Sequence, residues 1–279
     1  MWHLPKPDLQ KTLDDVDVFE HLGIITSAEN SILKKLVRDY DSNNACLAQQ
    51  QLPTIPTAIE DRIHSSFELT EKGRNLYGIR QDLFNNVYQS PFGQYCPYCG
   101  INEIGTLDHY MDKSSHKALA LCRLNLVPMC MRCNGPKSNK PYTDFVNPYY
   151  LSNPGVEFFI CNITIIANDV FYEFSIKNGI FNKSQTLVLN KQIDAIGLND
   201  RWGRAVISYL QDDVFSEKNT PQLLIASLPL LIQQKKNTKM LNHWKAAVLR
   251  GLEERINGSD ITAQIIIDAV NNKKYIQNS

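Results

Sequence analysis

Two Cys-x-x-Cys pairs constrain this chain more than any other feature of its sequence. Cys96 and Cys99 form the first pair, and Cys130 and Cys133 form the second, all within the segment Tyr95–Lys140. Each pair can wrap a tight turn that presents two thiolates to one tetrahedral ion, and two such turns complete a closed four-cysteine zinc site. Because a closed site leaves no open coordination position for a substrate, we expect this zinc to be structural.

The composition of the whole chain is that of an ordinary globular protein. Of its 279 residues, 43% are hydrophobic and 21% are charged, which is typical of a folded chain without a membrane span. The sequence contains no apolar run of the length of a membrane span, and its first residues lack the apolar core of a signal peptide. We therefore predict a cytoplasmic protein without membrane attachment, in which paired cysteines bind metal more often than they form disulfides.

The charges are balanced overall but unevenly distributed. The 29 basic and 29 acidic residues argue against a protein that coats nucleic acid non-specifically. Residues 1–70 carry 11 acids and 6 bases, whereas residues 91–140 carry 6 bases and 3 acids. The segment Leu231–Arg250 carries five bases and no acid. Such local basic patches indicate one of two things: weak or partner-assisted binding of phosphates, or helix faces that are simply exposed to solvent.

Hydrophobic spacing predicts an α+β chain that is mainly helical. After Thr26 and Ser27, both candidate N-caps, apolar residues recur at helical intervals as far as Tyr40. The stretch Val156–Phe181 is rich in β-branched and aromatic residues. It predicts two or three short antiparallel strands, with a hairpin turn at Asn168–Asp169 and a further turn signal at Asn178–Gly179. We expect three segments: a helical segment 1–92, a metal-bound core 93–150, and a segment 151–279 in which the hairpin is followed by helices.

The residues between the cysteine pairs predict a second, smaller hairpin. Thr106–Tyr110 and Asn125–Met129 have the composition of two short strands, and Cys130–Lys140 predicts a helix or turn that carries Asn134. The zinc site is therefore expected to hold the two ends of an inserted hairpin together.

Four motifs occur in this segment in a specific order: Cys-Pro-x-Cys-Gly, Leu-Asp-His-Tyr, Asn-Leu-Val-Pro and Cys-x-x-Cys-Asn-x-x-Lys. This order resembles the HNH endonuclease family, which has a ββα-metal fold. The resemblance covers roughly residues 95–140. It implies a metal-dependent enzyme that hydrolyses phosphodiester bonds of nucleic acid, with double-stranded DNA as the default substrate.

The resemblance also implies roles for individual residues. His109 takes the place of the general base that removes a proton from the attacking water. Asp108 and Asn134 take the places of ligands of one divalent cation, Mg²⁺ or Mn²⁺, which prefers oxygen donors. Asn125 takes the place of the residue that braces the loop and orients the histidine. Taken singly, each of these residues is more often a cap of a turn, and the catalytic interpretation depends on finding them together in this order.

Four basic residues of the segment are candidate phosphate contacts, and plain surface solvation is the alternative for each: Lys113, Lys137, Lys140 and Arg132. Two positions depart from the family pattern. Asn134 stands at the third named position in place of a histidine, as it does in many members of the family, and an amide oxygen can serve as the ligand. Asp112 stands where the nearest relatives have a proline, and it adds negative charge that either weakens substrate approach or supplies a further ligand.

Short motifs outside the core resemble HNH subunits of prokaryotic anti-phage defence systems of the Septu or retron-associated type. They are Leu4-Pro5-Lys6-Pro7, Asn147-Pro148-Tyr149 and His243-Trp244-Lys245. This resemblance implies an ABC-like ATPase as a partner and admits RNA, including tRNA, as the substrate. A different class of function also remains open, since the neutral net charge and Asp112 are compatible with an inactive, zinc-stabilised module that binds nucleic acid or protein.

Overall fold

The structure, a computed structural model, describes residues 3–46, 55–91, 93–138, 140–151 and 155–276, with side chains described as far as residue 272. The described residues divide into two compact units. One unit comprises residues 3–98 and 102–151, and the other comprises residues 99–101 and 155–276. The predicted segments 1–92 and 93–150 therefore share one unit over most of their described length.

The described residues form ten α-helices and four strands. Helices α1 to α10 are Leu9–His21, Ser27–Ser42, Thr57–Ser65, Tyr77–Tyr88, Met131–Lys137, Lys183–Ala195, Leu198–Tyr209, Pro221–Asn237, Trp244–Ile256 and Asp260–Ile276. Strands β1 to β4 are Thr106–His109, Leu126–Met129, Phe159–Ile166 and Asp169–Ile176.

Helix α2 begins directly after Thr26, the first of the two candidate N-caps. The backbone N–H of Thr26 donates a hydrogen bond to the carboxylate of Glu29 at 2.9 Å, which satisfies a donor that the helix itself leaves unpaired. Its buried face includes Leu33, Leu36 and Tyr40, as the helical spacing of these residues requires. This face packs against α1.

An ionic cluster holds the N-terminal helices to the turn that precedes β2. Arg123, with only 5% of its side chain exposed, forms ion pairs with Asp15 of α1 and with Asp82 of α4, the latter at 2.8 Å. Helix α4 also packs against β2. The helices therefore fix the position of the hairpin from outside it.

The small hairpin consists of β1 and β2. The strands pair antiparallel, with Thr106 opposite Met129 and His109 opposite Leu126. Every residue of β2 is buried, so that strand forms the inner layer, and α5 follows directly after it. The two strands and the helix occur in the positions that the sequence predicts.

The second unit is built around the hairpin of β3 and β4. These strands pair antiparallel over their full length, from Phe159 opposite Ile176 to Ile166 opposite Asp169. Helices α6, α7, α9 and α10 pack on this hairpin. Its core contains the rings of Phe159, Phe174 and Trp202, whose centroids lie 4.9 to 5.6 Å apart.

The turn of this hairpin lies one residue earlier than predicted. Ala167 and Asn168 form the turn with φ of 48° and 67°, and Asp169 is already the first residue of β4. A two-residue hairpin turn that matches the strand twist needs positive φ at both positions, and Asn tolerates this conformation well. The predicted mixture of helices with small antiparallel sheets is otherwise confirmed. None of the described helices has the length and apolar character needed to cross a membrane.

Candidate functional site

The four paired cysteines come together in one buried cluster. Their sulfur atoms all lie within 4.8 Å of one another, and no side chain among them is more than 2% exposed. Four thiolates around one Zn²⁺ at about 2.3 Å lie about 3.8 Å apart at tetrahedral geometry, so the cluster fits zinc with little adjustment. The predicted four-cysteine zinc site is therefore supported by the position of all four ligands.

Local backbone geometry explains how the first pair forms its turn. Cys96 N–H donates to the carbonyl of Asn102 at 2.8 Å, and Ile101 N–H donates to the sulfur of Cys99 at 3.4 Å. Gly100 between them has φ of 65°, a conformation that glycine adopts without steric cost. An N–H directed at a sulfur favours the thiolate form that binds metal.

Two tryptophans of the second unit hold the tip of this turn. The indole N–H of Trp202 donates to the carbonyl of Cys99 at 2.7 Å, and that of Trp244 donates to the carbonyl of Gly100 at 3.1 Å. Both indoles are buried. A buried carbonyl without a partner would cost free energy, and these bonds satisfy both carbonyls.

The other cysteines are separate from the cluster. Cys122 and Cys161 are buried, and Cys46 is exposed. Burial raises the pKa of the Cys122 thiol to about 12, so this thiol stays protonated near neutral pH.

A cleft of about 360 Å³ opens beside β1 and α5. The described residues that line it are His64, Phe67, Leu107, Asp108, His109, Tyr110, Asp112, Lys113, Ser114, Asn134, Lys137, Ser138 and Lys140. The predicted base and both predicted cation ligands are thus in one lining. Asp108 and His109 are neighbours in β1, and successive residues of a strand point to opposite faces. Both side chains nevertheless line the cleft, because the strand ends at His109.

Asp108 is a buried acid with an incompletely satisfied oxygen. Its Oδ2 atom lies 2.9 Å from Lys137 Nζ and forms an ion pair with it, and the described residues place no further donor on this atom. Burial raises the pKa of Asp108 to about 6, although the Lys137 ammonium opposes the shift. A carboxylate with a free lone pair at a cleft is suited to receive a cation.

His109 is oriented by a backbone carbonyl. Its Nε2 lies 3.0 Å from the carbonyl oxygen of Ala120, which can only accept, so Nε2 carries the proton in the neutral ring and Nδ1 is unprotonated. Burial lowers the pKa of His109 to about 4, which keeps the ring neutral at pH 7. The ring of Phe67 packs against it, with centroids 4.5 Å apart.

The side-chain amide of Asn134 is oriented by Thr106. The Thr106 hydroxyl donates to the carbonyl of Met129 at 2.9 Å, so its oxygen accepts from the Nδ2 of Asn134 at 3.1 Å. This arrangement assigns the amide nitrogen to Thr106 and leaves the Oδ1 end of Asn134 as the one that can bind a cation.

Asn125 lies beneath the cleft, where it is fully buried. Its Oδ1 accepts from the backbone N–H of Met111 at 2.8 Å and from the hydroxyl of Tyr40 at 3.0 Å. Its Nδ2 donates to the carbonyls of Met111 at 3.0 Å and Leu119 at 3.3 Å. These bonds hold both ends of the loop that follows β1, and Leu119 directly precedes the residue whose carbonyl holds His109.

The four predicted phosphate contacts have different positions. Lys113 and Lys140 line the cleft, and the ammonium of Lys113 lies 5.0 Å above the ring of Phe67. Arg132 is exposed on α5 and lies outside the described lining. Lys137 lines the cleft but is buried, and its ammonium contacts Asp108 rather than solvent. A contact of Lys137 with phosphate stays a prediction, and the ion pair with Asp108 competes with it.

Asp112 also lines the cleft. Its Oδ1 accepts from the N–H groups of Ser114 and Ser115 at 3.1 and 2.8 Å and from the Ser114 hydroxyl at 2.7 Å. These bonds use one carboxylate oxygen to close the turn after β1.

Sequence reasoning did not identify several residues of the cleft. His64 and Phe67 come from α3 and the 3₁₀ turn that follows it, and no motif in their segment links them to the core. The contacts of Tyr40 with Asn125 and of Lys137 with Asp108 were also missed, because helical spacing predicts burial but not the partner of a buried polar group.

Comparisons with known proteins do not add to this geometry, since no family model, no curated protein and no solved structure matches the chain.

Proposed function

We propose that this chain is a metal-dependent HNH endonuclease whose β1, β2 and α5 form a ββα-metal core. The single observation that carries the proposal is the common lining of one cleft by Asp108, His109 and Asn134. These three are the residues to which the motif order assigns the chemistry. The buried cluster of four cysteines offers the ligands for the structural zinc that such a small core needs.

His109 acts as the general base in the proposed reaction. Its Nε2–H is held by the carbonyl of Ala120, so that Nδ1 accepts the proton of a water molecule. The oxygen of that water attacks the scissile phosphorus, and the bond from phosphorus to the 3′ oxygen breaks. The 3′ oxygen takes a proton from solvent, and the products carry a 5′-phosphate and a 3′-hydroxyl.

Asp108 and Asn134 are the proposed ligands of one Mg²⁺ or Mn²⁺. The Oδ2 of Asp108 and the Oδ1 of Asn134 supply the oxygen donors that such cations prefer. When bound, the cation neutralises charge on the scissile phosphate and on the leaving oxygen. The thiolate cluster suits zinc instead, so the two sites separate by ligand type.

DNA is the proposed default substrate, and RNA, including tRNA, is the alternative. The net charge of the chain is zero, and few basic residues line the cleft. Both features support a substrate that is delivered with the help of a partner protein. The proposed partner is an ABC-like ATPase of an anti-phage system. The cytoplasm is the proposed location.

The test compares wild type with His109→Ala on supercoiled plasmid and on tRNA. Zinc-loaded protein is assayed alone and with its genomic neighbour, with and without Mn²⁺. We expect cleavage by wild type that requires the cation and falls at least a hundredfold in His109→Ala. His116→Ala is the matched control and should retain activity, because His116 is an imidazole of the loop that follows β1 and is not among the described residues that line the cleft.

Two outcomes contradict the proposal. Equal cleavage by wild type and His109→Ala would assign the activity to another site or to a contaminant. Binding of nucleic acid without cleavage under every cation and partner would favour the inactive, zinc-stabilised binding module.

A further inference from the structure

Lys137 is the one cleft lysine that is buried, among those the structure describes. Its Nζ lies 2.9 Å from Asp108 Oδ2 and donates hydrogen bonds to the carbonyls of His109 at 3.1 Å and Tyr110 at 3.3 Å. Only 4% of its side chain is exposed. A buried ammonium is stable only when it is paired and hydrogen-bonded, and these three oxygens meet that requirement.

The surroundings of Lys137 hold its ammonium in place. It is the last residue of α5, and its Nζ lies 5.3 Å from the ring centroid of Phe145 and 5.9 Å from that of Tyr110. Aromatic faces attract a cation at these distances. The positive charge is therefore a fixed part of the site and differs in this respect from the exposed Lys140 at the rim.

The position of this charge affects any second cation at Asp108. A divalent ion bound to the carboxylate would lie a few ångströms from the ammonium, where two positive charges repel strongly in a partly buried site. The ammonium contacts Oδ2 at 2.9 Å, so a divalent ion and the ammonium compete for this oxygen. Its two carbonyl partners can retain it while Asp108 turns toward the ion.

We propose that Lys137 is an internal cation that compensates Asp108 when no metal is bound and competes with Mg²⁺ or Mn²⁺ for the same carboxylate. The inference rests on the proposed function, since it concerns the same cation site. Lys137 weakens the binding of the divalent ion by the free protein. A nucleic-acid phosphate restores the affinity, because its negative charge offsets the positive charge of the ammonium.

The experiment measures Mn²⁺ binding to the zinc-loaded full chain by the electron paramagnetic resonance signal of free Mn²⁺. In Lys137→Met, the side chain keeps its length and loses its charge, and we expect the dissociation constant to fall at least tenfold, which is about 1.4 kcal/mol. Lys137→Arg, which keeps a charge, should stay within about threefold of wild type. Lys140→Met tests for a general charge effect and should also change the constant less than threefold. Asp108→Asn should abolish the tight binding in the Lys137→Met background.

Unchanged or weaker Mn²⁺ binding by Lys137→Met overturns the inference, as does an equal gain in Lys140→Met. Near-ultraviolet circular dichroism and zinc content show whether Lys137→Met folds. If it does not, the test is made on the wild-type chain by nuclear magnetic resonance. Mg²⁺ should then shift the ¹H–¹⁵N signal of the buried Lys137 ammonium, and an unshifted signal rejects competition.

The same data separate this inference from the proposed function. Mn²⁺ bound tightly by wild type through Asp108, with cleavage intact, rejects only the role of Lys137. No binding that depends on Asp108 in any variant rejects the cation site itself and both proposals with it.

Discussion

The hydroxyl of Tyr40 donates a hydrogen bond to the side-chain oxygen of Asn125 at 3.0 Å, across 85 residues of sequence. Tyr40 belongs to α2, and Asn125 holds the loop that positions the Ala120 carbonyl behind His109. The N-terminal helices therefore do more than shield the hairpin, because they supply a polar partner to the residue that supports the proposed base.

The two members of this pair should differ in their contribution to stability. Asn125→Ala leaves both the N–H and the carbonyl of Met111 without partners and removes one of the two donors to the Leu119 carbonyl. We expect a loss of about 3 to 5 kcal/mol in the free energy of unfolding. Tyr40→Phe removes one donor while Asn125 Oδ1 keeps its bond to Met111, and we expect a loss of about 1 kcal/mol. Urea unfolding in excess zinc measures both, and equal losses would show that Asn125 does not hold the loop.

Loss of zinc should unfold the core, whereas loss of Mg²⁺ should stop the proposed cleavage reaction and leave the fold intact. Structural zinc contributes about 10 kcal/mol or more in zinc-finger peptides, which is as large as the stability of a typical domain. We expect one zinc per chain by elemental analysis, its loss in Cys133→Ser, and a parallel loss of circular-dichroism signal. Cys46→Ser is the control because Cys46 is exposed and outside the cluster. Retention of zinc by Cys133→Ser would disprove the four-ligand site.

Two helical glycines should respond in opposite directions to alanine. A Cβ at Gly251 of α9 would lie 2.2 Å from the carbonyl oxygen of Cys161 in β3, whereas a Cβ at Gly203 of α7 meets nothing within 4 Å. Gly251→Ala must push helix and strand apart, and we expect a loss of about 3 kcal/mol or more. Gly203→Ala should raise stability by about 0.5 to 1 kcal/mol, because alanine favours the helix. Thermal unfolding compares the two, and tolerance of Gly251→Ala would contradict the close packing.

Buried His243 should make the chain less stable in mild acid. Burial lowers the pKa of His243 to about 3, below the value of about 6.5 in an unfolded chain. Between these values the unfolded state binds a proton that the folded state does not, so the stability contributed by the neutral ring is complete above pH 6.5 and is lost as the pH falls toward 3. From pH 7.5 to 5.5 the loss is about 1.4 kcal/mol.

His243→Asn isolates this effect. The ring accepts a hydrogen bond from Lys245 N–H at the start of α9, and asparagine can replace that acceptor without titrating near neutral pH. The difference in unfolding free energy between wild type and variant, measured in urea with excess zinc, should change by about 1.4 kcal/mol over this pH range. Parallel pH curves would show that His243 is not kept neutral by burial.

Much of the fold could be predicted because it depends on local chemistry. Spacing of apolar residues located α2, the small hairpin and the larger hairpin, since a helix and a strand each bury one face with a fixed period. The turn of the larger hairpin was misplaced by one residue, because Asn168 is compatible with either position and only the strand register distinguishes them. The four cysteines could be assigned because two short, identical spacings point to one tetrahedral ion.

The sequence by itself therefore determined the four cysteines of the buried cluster, the order of the small hairpin and α5, and the residues that carry the proposed chemistry. Only the tertiary structure decided which atoms those residues present. It directed His109 Nε2 to the carbonyl of Ala120 and placed Lys137 against Asp108 rather than at the surface. It also brought Phe67 and Tyr40 from distant helices to the site. The physical reason is that periodicity specifies which side chains are buried, whereas the partner of a buried polar group depends on the packing of segments far apart in the chain.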